Sequence, residues 1–386
     1  MNSYFADFHI HIGRTKSGRP VKITASPKMD LVNVLETAAV VKGLDMIGII
    51  DAHVPEIQHE LTGLLRAGTL SEQENTLYYK KTAVIPGVEV ELLSPATNAP
   101  VHVLCYMPGL TEMKEFSTWL NTSMKNPSLS TQRVVLDPVL LQEKVKEHSG
   151  IFIPAHVFTP FKSTYGKGVR RSLSEIFRPD LIDAVELGLS QDTVTADTVA
   201  ELRNYPFLSN SDAHSAEKIA REYQKMAMER PSFQEWKLAL REQDGRGITA
   251  NFGLNPKLGK YYRTVCRECG RREDPVRIRC VDCGGNIVKG VYERTLELAH
   301  ISRSKEQRSR PPYIYQVPLD MIPGIGPASL RKLRERIGPD MEVLHHASYE
   351  QLQEAVNSAA AKKIVAVRNG IAEIMEGGGG TYGKLR

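Results

Sequence analysis

Residue types that bind transition metals recur from residue 9 to residue 214, at or near the ends of short apolar runs. They are His9 and His11, Asp51 and His53, Glu89 after Pro86-Gly87-Val88, His102, His156 closing Ile153-Pro154-Ala155, Glu186, and Asp212 with His214 in Asn210-Ser211-Asp212-Ala213-His214. Residues two apart in an extended strand project from the same face, so His9-Ile10-His11 aims two imidazoles one way. Any single histidine of this kind is more simply a hydrogen-bonded core or surface residue. Recurrence on run after run makes the set informative where each member is weak. Mixed imidazole and carboxylate donors suit Zn²⁺, Mn²⁺ or Fe²⁺ better than Mg²⁺. Two such ions lower the pKa of bound water and stabilise charge on attacked and leaving oxygens, which is the chemistry of phosphate-ester hydrolysis.

A second constellation is of another kind. Cys266-x-x-Cys269 and Cys280-x-x-Cys283 are separated by ten residues, with glycines after the second cysteine of each pair. Four thiolates close a tetrahedral structural zinc site and leave no position open for catalysis. The fifth cysteine, Cys105, lies in an apolar run with no base evident beside it and is expected to be a small buried hydrophobe.

Positive charge gathers around the four cysteines. Between residues 254 and 310 there are 14 Lys/Arg against 7 Asp/Glu, a net of +7, so the rest of a chain with a total of +5 carries −2. A neutral-to-acidic body with a basic appendage is a footprint of nucleic-acid binding, although a solvated basic linker would look similar. Lys257, Lys260, Arg263, Arg271 and Arg272 could meet phosphates, and Tyr261 offers a stacking face. Further on, Pro323-Gly324-Ile325-Gly326-Pro327-Ala328 precedes the basic Arg331, Lys332 and Arg334. Gly324 and Gly326 in that setting resemble the hairpin of a helix-hairpin-helix DNA-binding element, where a helix N-terminus can face a phosphate.

The elements that must position these residues follow from periodicity. Seven apolar runs are expected as strands: 4–11, 46–53, 83–92, 101–106, 150–156, 181–187 and 207–214. Helical spacing over 30–42, 139–145 and 194–202 falls between them. The alternation predicts an α/β architecture, a barrel or closely related closed sheet, with its chemistry at the C-terminal ends of the strands. The expected organisation is a barrel over 1–250, a four-cysteine zinc module over 251–301, and a linker with a small all-α helix-hairpin-helix region over 302–386. Residues 302–312 are expected as linker, 349–375 as helical, and 377–380 as a glycine tail.

The chain has no apolar run of about 18 residues and no charged segment leading into an apolar one at its start, so neither a membrane span nor a signal peptide is expected. Clustered cysteines favour a metal site in a reducing, cytoplasmic compartment over a disulfide framework.

On His9-Ile10-His11, Asp51-Ala52-His53, Gly87-Val88-Glu89, His102, His156 and Asp212-Ala213-His214, residues 1–250 resemble the polymerase and histidinol phosphatase (PHP) family of metal-dependent phosphoesterases. That resemblance implies a distorted seven-stranded βα barrel holding two or three divalent ions. His9, His11, Glu89 and Asp212 would bind the first, and Glu89 would bridge to a second completed by His102 and His156. His53 and His214 would serve a third. Many members carry another histidine soon after the His-x-His pair, and none lies between Gly13 and His53 here. A third ion would therefore be weak, use Asp51, or be absent. Asp212, Glu89 and His214 would form the catalytic set.

The order of the parts, with Asn251-Phe252-Gly253-Leu254-Asn255-Pro256-Lys257-Leu258-Gly259-Lys260-Tyr261 leading into the cysteines, is similar to the endonuclease Q family over essentially the whole length. This implies a nucleoid-associated DNA-repair endonuclease cutting 5′ to a damaged nucleotide, in double- or single-stranded DNA. Deoxyinosine, deoxyuridine, deoxyxanthosine and abasic sites are the implied lesions, with a 3′-hydroxyl and a 5′-phosphate as products. The stretch 157–172, with Phe158, Phe161, Tyr165, Lys167, Arg170 and Arg171, is expected to form part of the DNA-facing rim. A small-molecule phosphatase of the PHP type and a DNA-binding protein with an idle barrel stand as alternatives.

Overall fold

The computed structural model describes residues 1–274, 277–302, 309–369, 374–375 and 384–385. Its strands are β1 (Asn2–Ile10), β2 (Met46–Ile49), a hairpin of β3 (Leu70–Gln73) and β4 (Thr76–Tyr79), β5 (Thr82–Leu93), β6 (Pro100–Tyr106), β7 (Ile151–Pro154), β8 (Val185–Glu186), β9 (Phe207–Leu208), β10 (Tyr223–Met228) and β11 (Gly247–Gly253). All seven apolar runs contain one of them.

Those seven form a closed ring in the order β1-β2-β5-β6-β7-β8-β9. Pairing is parallel for β1/β2, β2/β5 and β8/β9, and antiparallel for β5/β6 and β6/β7. Between β7 and β8, the Asp183 N–H donates to the Phe152 carbonyl at 3.1 Å and the Val157 N–H to the Glu186 carbonyl at 2.9 Å. Ala213, just beyond β9, closes the circle: its N–H donates to the His9 carbonyl at 3.0 Å, and its carbonyl accepts from the His11 N–H at 3.1 Å. The segment from β5 to β6 is too short for the crossover of a dozen or more residues that parallel pairing needs, so β6 must return antiparallel.

The ring strands are buried on both faces, which is why they read as near-continuous apolar runs. Phe8, Leu104, Tyr106, Ile151 and Ile153 belong to one apolar cluster. Trp236, from the helix Phe233–Leu240, joins it by stacking on Phe8 at 3.8 Å between ring centroids. The β1/β2 register shifts between Asp7 and Ile10. Such irregularities re-aim side chains, and His9 lies within it.

The expected helices over 30–42 and 139–145 are present as Leu31–Glu36, continued by a π-helical turn Thr37–Lys42, and as Pro138–Glu147. The 194–202 segment is instead two short turns, Thr193–Ala196 and Ala200–Asn204.

An extension of the sheet was not expected from the sequence. β10 pairs antiparallel with the first half of β1, β11 with β10, and β14 (Tyr313–Tyr315) lies parallel to β11. Strand β11 thus runs through position 250, and the chain returns to the same sheet after the four-cysteine module. That module contains the short antiparallel pair β12 (Val265–Cys266) and β13 (Ile287–Val288), followed by the helix Val291–Ser302. Arg294 of this helix donates to the carbonyls of Tyr165, Val169 and Arg170 at 2.9–3.0 Å, fastening the module to the barrel.

Four helices follow: Pro327–Arg336, Asp340–His345, Tyr349–Ala355 and Ser358–Arg368. The last two divide the helical stretch expected over 349–375, with Asn357 capping the second through the Ala360 N–H at 2.8 Å. The end of that stretch is corrected: Ile374–Met375 is a strand paired antiparallel with Lys384–Leu385. His345 stacks on Phe5 at 4.4 Å and meets the Tyr223 hydroxyl at 2.7 Å, which docks the helices against the sheet extension. Of the expected linker, residues 303–308 lie outside the described residues, as does the glycine tail 377–380. No helix among the described residues is long and apolar enough to cross a membrane.

Candidate metal centre and DNA-facing cleft

Two three-residue groups meet at one end of the barrel. His9, His11 and Asp212 offer ligand atoms within 4.8 Å of one another, and so do Glu89, His102 and His156. Glu89 stands between the groups. Its oxygens lie 3.7 Å from His9 Nε2, 3.5 Å from His11 Nε2, 2.8 Å from His102 Nδ1 and 3.3 Å from His156 Nε2.

The donor atoms fit divalent ions. His9 Nε2 and His11 Nε2 are buried and have no hydrogen-bond partner, although buried polar atoms ordinarily find one. The opposite ring nitrogens are held by carboxylates: His9 Nδ1 is 2.9 Å from Glu186, and His11 Nδ1 is 3.1 Å from Asp51. Carboxylates of this kind orient metal-ligating histidines and raise their basicity. His102 is held from its far side by Glu91, 3.4 Å from Nε2.

Charge in the centre is lopsided. Burial disfavours a charged His9, yet Glu186, Asp212 and Glu89 together raise its pKa to about 10. Burial pushes Glu89 and Asp212 up, but the imidazoles around them, with Lys22 beside Glu89, outweigh it and hold both well below the usual carboxylate range. Asp51 is brought down to about 2 by His11 and Lys22 despite burial. The carboxylates are thus ionised, and a divalent cation is the natural counter-charge.

Two candidate ligands sit on strained backbone. His156 has φ 30° and Asp212 φ 46°, a left-handed region costly for residues with a Cβ and often found at functional sites. Gly188, at φ +81°, leaves room beside His156: a Cβ there would lie 2.9 Å from the His156 Cβ.

The remaining sequence candidates are placed as follows. His214 packs at 4.6 Å from the His11 ring, and its Nδ1 is 3.0 Å from the Asp212 carbonyl. Burial and the neighbouring His11 lower its pKa to about 4. His53 is buried, with Nε2 3.3 Å from the Leu129 carbonyl. Neither residue belongs to either ligand group, and among the described residues no third barrel group is assembled.

The centre opens into two adjoining cavities of about 370 and 310 Å³, both lined by His156, Asp212 and His214. Lys260 and Tyr261, expected at DNA, line the larger one together with Lys218 and Arg221. Arg221, which the sequence did not single out, is anchored through Nε to the Ser211 carbonyl at 2.7 Å. Lys22 was missed as well. Nothing in its sequence neighbourhood marks it, but its ammonium is 3.1 Å from Glu89.

The other basic candidates are dispersed. The Arg263 guanidinium lies over the Tyr292 and Tyr262 rings at 4.4 and 5.0 Å and pairs with Glu293. Arg271 pairs with Asp282. Lys257, Arg272, Arg170 and Arg171 are exposed, as are Gly324 and Gly326. Gly324 has φ +93°, and Gly326 caps the helix Pro327–Arg336. Two rim residues expected over 157–172 are corrected: Phe158 and Tyr165 are fully buried, stacked at 5.1 Å. The turn Thr164–Gly168 folds Tyr165 inward, where its hydroxyl donates to Glu201 at 2.8 Å. Phe161 alone of these aromatics reaches the surface.

Cys105 is fully buried, and burial pushes its thiol up. The other four cysteines converge, with Cys266–Cys283 sulfurs 3.5 Å apart and Cys269–Cys280 sulfurs 3.6 Å apart. These separations exceed a disulfide bond and match thiolates sharing one tetrahedral zinc ion.

No protein-family model matches this chain. YqxK of Bacillus subtilis (strain 168), described as uncharacterized, is 46% identical over 388 residues, covering 100% of both chains. Among solved structures, the lesion-specific endonuclease PfuEndoQ from Pyrococcus furiosus is 30% identical, with a TM-score of 0.85 over 100% of this chain and 95% of that one. An endonuclease Q in complex with a 27-mer duplex substrate, with an abasic lesion at its active site, is also 30% identical. It has a TM-score of 0.84 and covers 100% and 96% of the two chains. With two candidate ligand groups, a four-cysteine module and C-terminal helices on one chain that superimposes end to end on these structures, the protein belongs to the endonuclease Q family.

Proposed function

We propose that this chain is a metal-dependent DNA-repair endonuclease that hydrolyses the phosphodiester bond 5′ to a damaged nucleotide, leaving a 3′-hydroxyl and a 5′-phosphate. Its lesions are abasic sites and the deaminated nucleotides deoxyinosine, deoxyuridine and deoxyxanthosine. The observation that carries this reading is Glu89 standing between two ligand groups on the floor of a cleft bordered by Lys218, Arg221, Lys260 and Tyr261.

In this reading His9, His11 and Asp212 would hold one ion and His102 and His156 another, with the Glu89 carboxylate within reach of both groups. Such ions, when bound, supply a nucleophile from water near neutral pH and neutralise charge on the reacting oxygens. Glu186 and Asp51 keep the Nε2 atoms of His9 and His11 aimed at the centre. His214 presents Nδ1–H to the Asp212 carbonyl, which leaves Nε2 as a proton acceptor in the cleft. Arg221 and Lys260 offer positive charge to the phosphates, and Tyr261 a face for stacking. Deaminated pairs are weaker than normal ones, so turning such a nucleotide out of the stack costs less. The imidazole and carboxylate donors favour Zn²⁺, Mn²⁺ or Fe²⁺ in the barrel, and the four thiolates favour a structural Zn²⁺. A chain with this role works in the cytoplasm, on the nucleoid.

The test is a nicking assay on an end-labelled duplex bearing one deoxyinosine, with Mn²⁺, Zn²⁺ or Mg²⁺, comparing wild type with Asp212→Asn. A metal-dependent cut immediately 5′ of the inosine, lost in the variant, is the expected result. Absence of cutting on inosine, uracil and abasic duplexes, with turnover of a simple phosphomonoester, would overturn it in favour of a phosphatase.

A further inference from the structure

One large apolar side chain at the mouth of the metal centre has no part in the core or in the chemistry above. Ile23 is 74% exposed, on the wall of the cavity that also holds Glu89, His102, His156 and Asp212. Its position is built. Val21 and Ala25, two residues to either side, are buried. The Val21 and Lys22 N–H groups donate to the Gly13 and Ile12 carbonyls, each at 2.9 Å, and the Ser26 N–H donates to the His214 carbonyl at 2.7 Å. The Lys22 ammonium, one residue away, rests on Glu89. The backbone on both sides of Ile23 is therefore tied to the strand ends that carry the ligands, and the side chain between is held outward.

Phe161 lines the same cavity, 37% exposed, and meets Tyr261 edge-to-face at 5.6 Å. Tyr261 borders the neighbouring cavity. The centre thus lies among an aliphatic point and an aromatic pair, each presenting apolar surface where a polar polymer must approach.

A β-branched side chain is stiff about χ1, so little rotamer freedom is lost when it is inserted. Isoleucine is among the residues that enter between base steps, unstack them and kink the duplex. We propose that Ile23 is an apolar wedge that enters the base stack beside the nucleotide turned toward the metal centre, lowering the cost of extruding it. The inference rests on the endonuclease reading above and adds a residue that selects for paired substrates.

The experiment compares wild type, Ile23→Ala, Ile23→Gln and Ile23→Leu in single-turnover nicking of two DNAs. One holds the lesion in a fully paired duplex, and the other holds it in a bulge, already out of the stack. Binding is followed in parallel by fluorescence of a 2-aminopurine next to the lesion. Ile23→Ala and Ile23→Gln should lose about tenfold or more on the paired substrate, with the bulged substrate cut within about twofold of the wild-type rate. Ile23→Leu should recover most of the loss, and the 2-aminopurine signal should fall with the paired rate. Equal losses on both DNAs, or no loss on either, would overturn the wedge while leaving the nuclease intact. A wild type that cuts neither DNA overturns the endonuclease reading itself, and the wedge with it.

Discussion

Glu186 on β8 accepts from Nδ1 of His9 on β1 at 2.9 Å, joining strands 177 residues apart in the chain. The same carboxylate accepts the His156 N–H and the Asn210 amide, each at 2.8 Å. One buried side chain thereby bonds residues of both candidate ligand groups. Replacing it by glutamine removes the charge that holds His9 in its tautomer. Glu186→Gln is expected to weaken metal binding by about 10–100-fold, read by metal titration, while circular dichroism shows an intact fold.

Gly188 predicts a steric effect on the same centre. Glycine tolerates φ +81°, but alanine there would be strained and its Cβ would press on His156. Gly188→Ala should cost about 1–3 kcal/mol of stability. It should also weaken binding of the ion proposed at Glu89, His102 and His156 before the one proposed at His9, His11 and Asp212. Metal content per chain and thermal melting check the two parts separately.

Glu222 predicts a pH dependence of stability. It is fully buried, accepts from the Leu254 N–H at 3.1 Å, and burial raises its pKa to about 8. Between the ordinary carboxylate value and that one, the folded chain keeps a proton that the unfolded chain releases. Its contribution is present at low pH and is lost as pH rises through about 8. Glutamine mimics the protonated form. The melting temperature of Glu222→Gln relative to wild type should therefore rise between about pH 5 and pH 9, and a flat difference in calorimetry would refute it.

The four-cysteine module should be separable from the barrel. Cys280→Ser is expected to remove one zinc per chain and loosen residues around β12 and β13, with barrel ions retained. Metal analysis and hydrogen exchange check this. Because several cations face the cleft, duplex affinity should also fall steeply as salt rises.

The candidate donors and the strands that carry them were legible because donor chemistry and strand periodicity are local. His9-Ile10-His11, Gly87-Val88-Glu89 and Asp212-Ala213-His214 each declare themselves within a few residues, and each apolar run between turns had to be a buried strand. The two Cys-x-x-Cys pairs declared their own site, since four thiolates at that spacing have little else to do. Where helical spacing ran over only a few residues, as over 194–202, the same logic overstated the regular structure.

What tertiary structure alone decided is which groups face which. Glu186 and Asp51 meet the Nδ1 atoms of His9 and His11, and Lys22 and Arg221 line the cavities of the centre, because ring closure through Ala213 brings distant strand ends together. Phe158 and Tyr165 went inward although their neighbours looked like a DNA rim, since aromatics in a basic loop carry no local mark of the side they bury. Ile23 is the reverse case, an ordinary apolar residue in sequence that flanking anchors hold in solvent beside the ligands. Residue type and spacing determined the chemistry available to this chain, whereas the closed sheet determined its geometry, because contacts between strands two hundred residues apart leave no pattern in either strand alone.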